Sequence, residues 1–276
     1  MLYCIATASA SELAEGDLDL FLESVSDQEI RVVLVLRGVD DVQSESYARH
    51  NSVVAVHRVP LGGISAVRNI GLRILHELKI ADSDIVSFPD DDCRYPKGLA
   101  RRVATVFKET NTDMLVGSYG EQPITDSIGV PLKVEDAAFR SSSVALFARW
   151  SLVKRAGGFN EALGVGSGVF AYGEDNDFAL RAFRKSNRPI RNESIRIWHL
   201  EERPTTGRNP KGYLTSCWLN VAVPGVPFLI MRGIIASLVQ DVRSPLRHGH
   251  QLKFMLSALQ RSKIRRAKAS RPQPWQ

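Results

Sequence analysis

Ile85-Val86-Ser87-Phe88-Pro89-Asp90-Asp91-Asp92-Cys93 decides the reading of this chain. A short apolar run, the length of a buried strand, ends at Pro89 in three consecutive carboxylates. Like charges this close repel and raise one another's pKa unless a cation sits among them. A divalent metal is the simplest such cation. Mg²⁺ and Mn²⁺ take oxygen ligands, with one or two carboxylates completed by water and substrate phosphates. An acidic triplet in a loop is also a common solvated turn, so its context has to decide between the two.

Working back toward the N-terminus, short apolar runs alternate with segments of helical period. Expected strands are Leu2–Thr7, Ile30–Leu36, Val53–Val56, Ile85–Phe88 and Met114–Ser118, and expected helices are Leu13–Val25 and Ile64–Leu78. In the second helix Ile64, Val67, Gly71, Leu75 and Leu78 share a face. This alternation is that of β/α units building a mostly parallel sheet, which binds ligands at the carboxyl ends of its strands. Those ends turn polar at Thr7-Ala8-Ser9, Arg37-Gly38-Val39-Asp40-Asp41 and Asp90-Asp91-Asp92, so the candidate site lies on one edge.

Toward the C-terminus the pattern weakens between Glu121 and Arg140. A strand is then expected at Val144–Phe147 and a Ser-capped helix at Ser151–Ala156, closed by Gly157-Gly158. After the loop Gly164-Val165-Gly166-Ser167-Gly168, a helix starts at Gly173-Glu174-Asp175 and runs to about Lys185, with its acids in the first turn, where the helix dipole favours them in any protein. A last strand, Ile195–Trp198, delivers His199.

Order and spacing over about residues 1 to 200 resemble the family 2 glycosyltransferases. Gly62-Gly63-Ile64-Ser65-Ala66-Val67-Arg68-Asn69-Ile70-Gly71 is similar to the helix bearing that family's Ala-Arg-Asn-x-Gly signature. Phe88-Pro89-Asp90-Asp91-Asp92 is similar to its DxD strand end, Gly157-Gly158-Phe159-Asn160-Glu161 to its Gly-Gly-Phe-Asp-Glu turn, and Gly173-Glu174-Asp175-x-Asp177 to its Glu-Asp helix start. The resemblance implies a GT-A fold: a Rossmann-like mixed, mostly parallel α/β sheet flanked by helices, here with a C-terminal helical extension. It divides the chain into a catalytic domain at 1–202, with a nucleotide-sugar-binding half at 1–120 and an acceptor half at 121–202, and a basic region at 203–276.

The resemblance also implies the roles. Thr7, Ala8, Arg37, Arg68, Asn69, Asp90 and Asp91 fall on the donor side, Asp92 and His199 on a metal, Mn²⁺ or Mg²⁺. Asp175, or Glu174 as second choice, would take the acceptor proton in one inverting displacement. A divalent cation would neutralise the departing nucleoside diphosphate. The implied partners are a nucleotide-sugar donor, a UDP-sugar by preference, and a glycan or lipid-linked acceptor in polysaccharide synthesis. Two departures leave base recognition open: Leu36-Arg37-Gly38-Val39-Asp40-Asp41 stands where many members have Asp-Asp-Gly-Ser, and Thr7-Ala8-Ser9 replaces Pro-Thr-Tyr-Asn.

Composition sets the outer bounds. In 276 residues, 44% are hydrophobic and 24% charged, an ordinary globular balance. Cys4, Cys93 and Cys217 are odd in number and widely spaced, which argues against a disulfide framework or a zinc motif and for a reducing compartment. Cys93 reads as a packed thiol, and His50, His57, His76, His248 and His250 as surface or interface residues. Met1-Leu2-Tyr3-Cys4-Ile5 lacks a basic leader, so a cytoplasmic location is expected.

The net charge of +6 conceals an asymmetry: residues 203–276 hold 13 Lys and Arg against Asp241, a local +12 on a body of −6. Phe228–Val239 within that region is too short for a span and carries Arg232. It reads as a helix in the interface of an anionic membrane, or as one packed on the domain. Phe170, Tyr172 and Trp198 suit either sugar stacking or core packing.

Two other functions compete. A nucleotidyltransferase making nucleotide sugars needs a Gly-rich basic loop after its first strand, which Thr7-Ala8-Ser9-Ala10-Ser11-Glu12 lacks. A non-catalytic protein gripping an anionic surface fits the basic tail, but Trp218, Phe254 and Trp275 are too sparse for a nucleic-acid platform, and no nucleic-acid partner is expected.

Overall fold

The computed structural model describes residues 1–120, 127–199 and 216–232. The first part consists of β/α units: β1 (Leu2–Ser9), α1 (Ala10–Leu13), α2 (Asp17–Val25), β2 (Ile30–Arg37), α3 (Asp41–Ala48), β3 (Val53–Val59), α4 (Ile64–Glu77) and β4 (Ile85–Ser87). The chain continues through β5 (Cys93–Arg94), α5 (Leu99–Thr110), β6 (Met114–Tyr119), β7 (Val130–Pro131), α6 (Val134–Phe139) and a 3-10 turn at Ser143–Ala145. It then forms β8 (Leu146–Arg149), α7 (Trp150–Ala156), α8 (Glu174–Lys185) and β9 (Pro189–His199).

The strands join in the order β3-β2-β1-β4-β8-β6-β9-β5, with β7 also on β9. β1 to β4 are parallel, β8 runs against both β4 and β6, and β6 is again parallel to β9. The carboxyl ends of β1, β2, β4, β6 and β9 therefore share one edge, and a bridge between Thr7 and Asp90 carries the β1/β4 pairing onto the acidic loop.

Continuous apolar strands follow from burial on both faces. Ile5, Val33, Val35 and Val86 pack with residues of α4, α7 and α8, while Cys4, Ala6, Val32 and Leu34 pack with α2 and α5. Gly71 is what lets α4 lie close to β1, since a Cβ there would run into Ile5 Cγ2.

Several element boundaries differ from expectation. Leu13–Val25 is two helices, broken where Gly16 takes a left-handed φ of 75°. Leu78 is a C-cap and exposed, outside the buried face of α4. Val144–Phe147 is the 3-10 turn followed by β8, and α7 starts at Trp150 after Arg149, with no side-chain cap from Ser151. β9 begins six residues before Ile195. Its first half is hidden by Asn192-Glu193-Ser194, which bulge out of the β6 ladder while Asn192 Oδ1 takes the N–H and hydroxyl of Ser194. Gly117 admits that bulge, since a Cβ would sit 2.5 Å from the Ile195 carbonyl oxygen.

Residues 216–219 and 226–232 are helical. Cys217, Val223, Val226, Leu229 and Ile230 join the core formed with α6, α7 and α8, while Phe228 and Met231 face outward. Of the expected Phe228–Val239 helix, residues 233–239 lie outside the described residues, as do the basic residues beyond them. Among the described residues, no helix is long and apolar enough to cross a membrane.

Candidate active site

The acidic loop is anchored by Phe88, buried edge-on against Phe159 and Phe178 at 4.9 and 5.4 Å between ring centroids. Beyond it, Asp91 and Asp92 are buried and Asp90 is partly open. Asp92 Oδ1 lies 3.2 Å from His199 Nε2, and Cys93 is the cross-strand partner of His199. One donor atom each from Asp92, Cys93 and His199 lie within 4.8 Å of one another. Loss of water, then the charges of Glu12, Asp92 and Asp90, push the Asp91 carboxyl up to about 7. Burial raises Asp90 too, opposed by Arg68. Burial, with Asp90 and Asp92 adding to it, lifts the Cys93 thiol well above its ordinary value. Carboxylates that are costly to ionise together, with an imidazole in reach, form a donor set that fits a divalent cation.

Arg68 links this loop to the start of α8. Only 2% exposed, its guanidinium lies over the Phe159 ring at 5.2 Å. Nη1 donates to Asp175 Oδ1 at 2.8 Å, and Nη2 donates to Asp90 Oδ1 at 2.9 Å and to Ser143 Oγ at 2.8 Å. Burial alone would make Arg68 easier to deprotonate, but Asp175 and Asp90 outweigh it and hold the charge. Glu174 is pushed up to about 7, by burial first and by Asp175 second. Acids in the first turn of α8 and Arg184 and Lys185 in its last both suit the helix dipole.

These groups surround an open cleft that holds about 180 Å³ of water-accessible space. Of the residues singled out in the sequence, Thr7, Arg37, Arg68, Asp90, Asp91, Asp92, Glu174 and Asp175 line it. His199 reaches the cleft through Asp92. Ala8 is buried in β1 and Asn69 in α4, and neither lines the cleft. Asn69 instead staples α4 to the Gly157–Glu161 turn: its Oδ1 accepts from Phe159 N at 2.7 Å, and its Nδ2 donates to Phe159 O and Glu161 Oε1 at 3.0 and 2.9 Å. Phe170 packs with Ala162, Leu163 and Leu219, Trp198 lies under Arg94, and Tyr172 is exposed.

Glu12, Ile64 and Val165 also line the cleft and were not anticipated. Glu12 accepts from Ser9 N and from Arg37 Nη2 at 3.2 Å. Its signal was present as a capping box, Ser9-x-x-Glu12, directly after β1. The C-terminal segment braces the other wall. Ser216 Oγ donates to Gly173 O at 2.6 Å, and Asn220 Nδ2 donates to Asp177 Oδ1 at 2.8 Å.

No protein-family model and no curated protein sequence matches the chain. Its fold is shared with solved structures. Residues 1–349 of S. aureus TarS align over 98% of this chain and 87% of that one, with a TM-score of 0.65 at 16% identity. The same fragment in complex with UDP-GlcNAc aligns over 96% and 81%, with a TM-score of 0.65 at 17% identity. The mannosyltransferase PcManGT from Pyrobaculum calidifontis, in complex with GDP-Man and Mn²⁺, aligns over 97% and 86%, with a TM-score of 0.50 at 11% identity. At these identities the likeness is one of architecture, and it establishes the GT-A fold.

Proposed function

We propose that this protein is a metal-dependent, inverting glycosyltransferase that moves a sugar from a nucleoside-diphosphate sugar, by preference a UDP-sugar, to a hydroxyl of a glycan or lipid-linked acceptor in polysaccharide synthesis. The observation that carries this reading is the single cleft in which Asp90, Asp91 and Asp92 stand opposite Glu174 and Asp175, with Arg68 bonded across the gap. The donors bound by the architectural neighbours, UDP-GlcNAc and GDP-Man, support the substrate class.

Asp92 and His199 would hold Mn²⁺ or Mg²⁺, the imidazole favouring Mn²⁺, and the ion would offset charge on the diphosphate leaving group. Thr7 and Arg37 hold the nucleoside side, and Asp90 and Asp91 contact the donor. Arg68 bonds to both Asp90 and Asp175 and fixes their separation. Asp175, at the mouth of α8, takes the acceptor proton as the hydroxyl oxygen attacks the anomeric carbon from the face opposite the leaving group, which inverts the configuration. The enzyme works in the cytoplasm, with basic residues of the 203–276 region outside the packed 216–232 segment meeting the anionic inner face of the membrane, where a lipid-linked acceptor is at hand.

The test is hydrolysis of a panel of nucleotide sugars with Mn²⁺, with Mg²⁺ and after chelation, in the wild type and in Asp92→Ala. Release of one nucleoside diphosphate only with metal, and its loss in the variant, is the expected result. If no donor is bound or cleaved with either ion, even with membrane extract supplied as acceptor, the transferase reading fails.

A further inference from the structure

The turn at Ser143–Ala145 contributes nothing to the lining of the cleft, yet its first residue touches both charged partners of the site. Ser143 is 3% exposed. Its backbone N–H donates to Asp175 Oδ2 at 3.0 Å, its hydroxyl donates to the same oxygen at 3.0 Å, and that hydroxyl accepts from Arg68 Nη2 at 2.8 Å. The hydroxyl proton thus has one direction to go, because Arg68 offers no acceptor.

A carboxylate oxygen has about two lone-pair sites. At Asp175 Oδ2 both are filled by Ser143, whereas Oδ1 accepts a single bond from Arg68 Nη1 at 2.8 Å. The two bonds from one residue also fix the plane of the carboxylate about its last torsion, which is otherwise soft. Resting on the reading of Asp175 as the base, we propose that Ser143 is a positioning residue that saturates Oδ2 and so makes Oδ1 the atom that receives the acceptor proton.

The step balances at this oxygen. The acceptor O–H bond breaks and its proton goes to Asp175 Oδ1, while the freed electron pair forms the bond to the anomeric carbon. The bond from that carbon to the diphosphate oxygen breaks, and its pair leaves with the nucleoside diphosphate. Arg68 keeps its bond to Oδ1 on the remaining lone pair.

The experiment compares transfer kinetics of the wild type, Ser143→Ala and Ser143→Thr under saturating metal, with thermal unfolding recorded for each. Ser143→Ala keeps the N–H bond and loses the hydroxyl, so one lone pair of Oδ2 is opened and the carboxylate is held less firmly. The expected result is a kcat lower by roughly tenfold or more, the size of one hydrogen bond to a charged group, with the donor KM unchanged. Ser143→Thr, which retains a hydroxyl, recovers most of the rate. A Ser143→Ala enzyme with wild-type kcat overturns the proposal and leaves the transferase reading standing. So does a rate loss that follows donor KM or the melting temperature and is not recovered by Thr. A wild-type protein that turns over no donor overturns both.

Discussion

Two short acidic segments face each other across the cleft, and the protein treats them differently. At the start of α8, Asp175 is held by Arg68 and Ser143, and Asp177 by Arg181 Nε and Asn220 Nδ2, each at 2.8 Å. In the loop after β4, Arg68 reaches Asp90 and His199 reaches Asp92, while Asp91 has Glu12, Asp92 and Asp90 about it. The helix acids are largely compensated by side chains of the chain itself, Glu174 excepted. In the loop, Asp90 shares the Arg68 guanidinium with Asp175, and Asp91 is raised by burial among three other carboxylates. Similar composition therefore encodes fixed structure on one side and readiness for a cation on the other.

The largest effect should come from removing the group that the two sides share. Arg68→Met leaves Asp90 and Asp175 facing each other without a cation. Stability should fall by about 3 kcal/mol, as when one partner of a buried ion pair is lost, read as a lower midpoint in urea. A midpoint like that of the wild type would mean that the two segments are not coupled. A smaller change tests the compensated side alone. Asn220→Ala removes one of the donors to fully buried Asp177 and should cost about 1–2 kcal/mol in the same assay.

The smallest effect is a slope. The Asp91 and Glu174 carboxyls lie near 7 in the folded protein, above the ordinary carboxylate range, so between about pH 4 and 7 the folded state holds protons that the unfolded state has released. Their contribution to stability is present at low pH and is lost as pH rises through 7. Metal-free protein should therefore lose melting temperature over that window, and Asp91→Asn should flatten the loss. Mn²⁺ should raise the melting temperature more at pH 8 than at pH 5, because it competes with those protons. A Mn²⁺ response independent of pH would assign the loop acids to structure, like their counterparts on α8.

What could be read from the sequence divides along the same line. The acidic triplet, Arg68 and the Glu174-Asp175 helix start are local strings, each with its own neighbours as context, and they meet at one cleft. Ser143 belongs to a plain run, Ser141-Ser142-Ser143, whose meaning depends on a contact 32 positions away in the chain. Ser216 and Asn220 lie where composition turns basic, a pattern that suggests a membrane surface and carries no sign of their hydrogen bonds to Gly173 and Asp177. Only the apolar end of β9 is legible in the sequence, because the polar residues of its bulge bond to one another and to the loop at Ser127, and so mimic a turn. Periodicity records burial, and these residues are buried by polar partners.

The staple at Asn69 bears on modularity. The helix carrying Arg68 and the turn at Phe159–Glu161 are separated by some ninety positions, yet one amide joins them by giving and receiving at the same backbone. A carboxylate at position 69 could only receive, and an amine could only give. The two motifs are thus halves of a single part, and a graft that moved the turn into another chain without the amide-bearing helix would carry over its shape without what holds Arg68 in register.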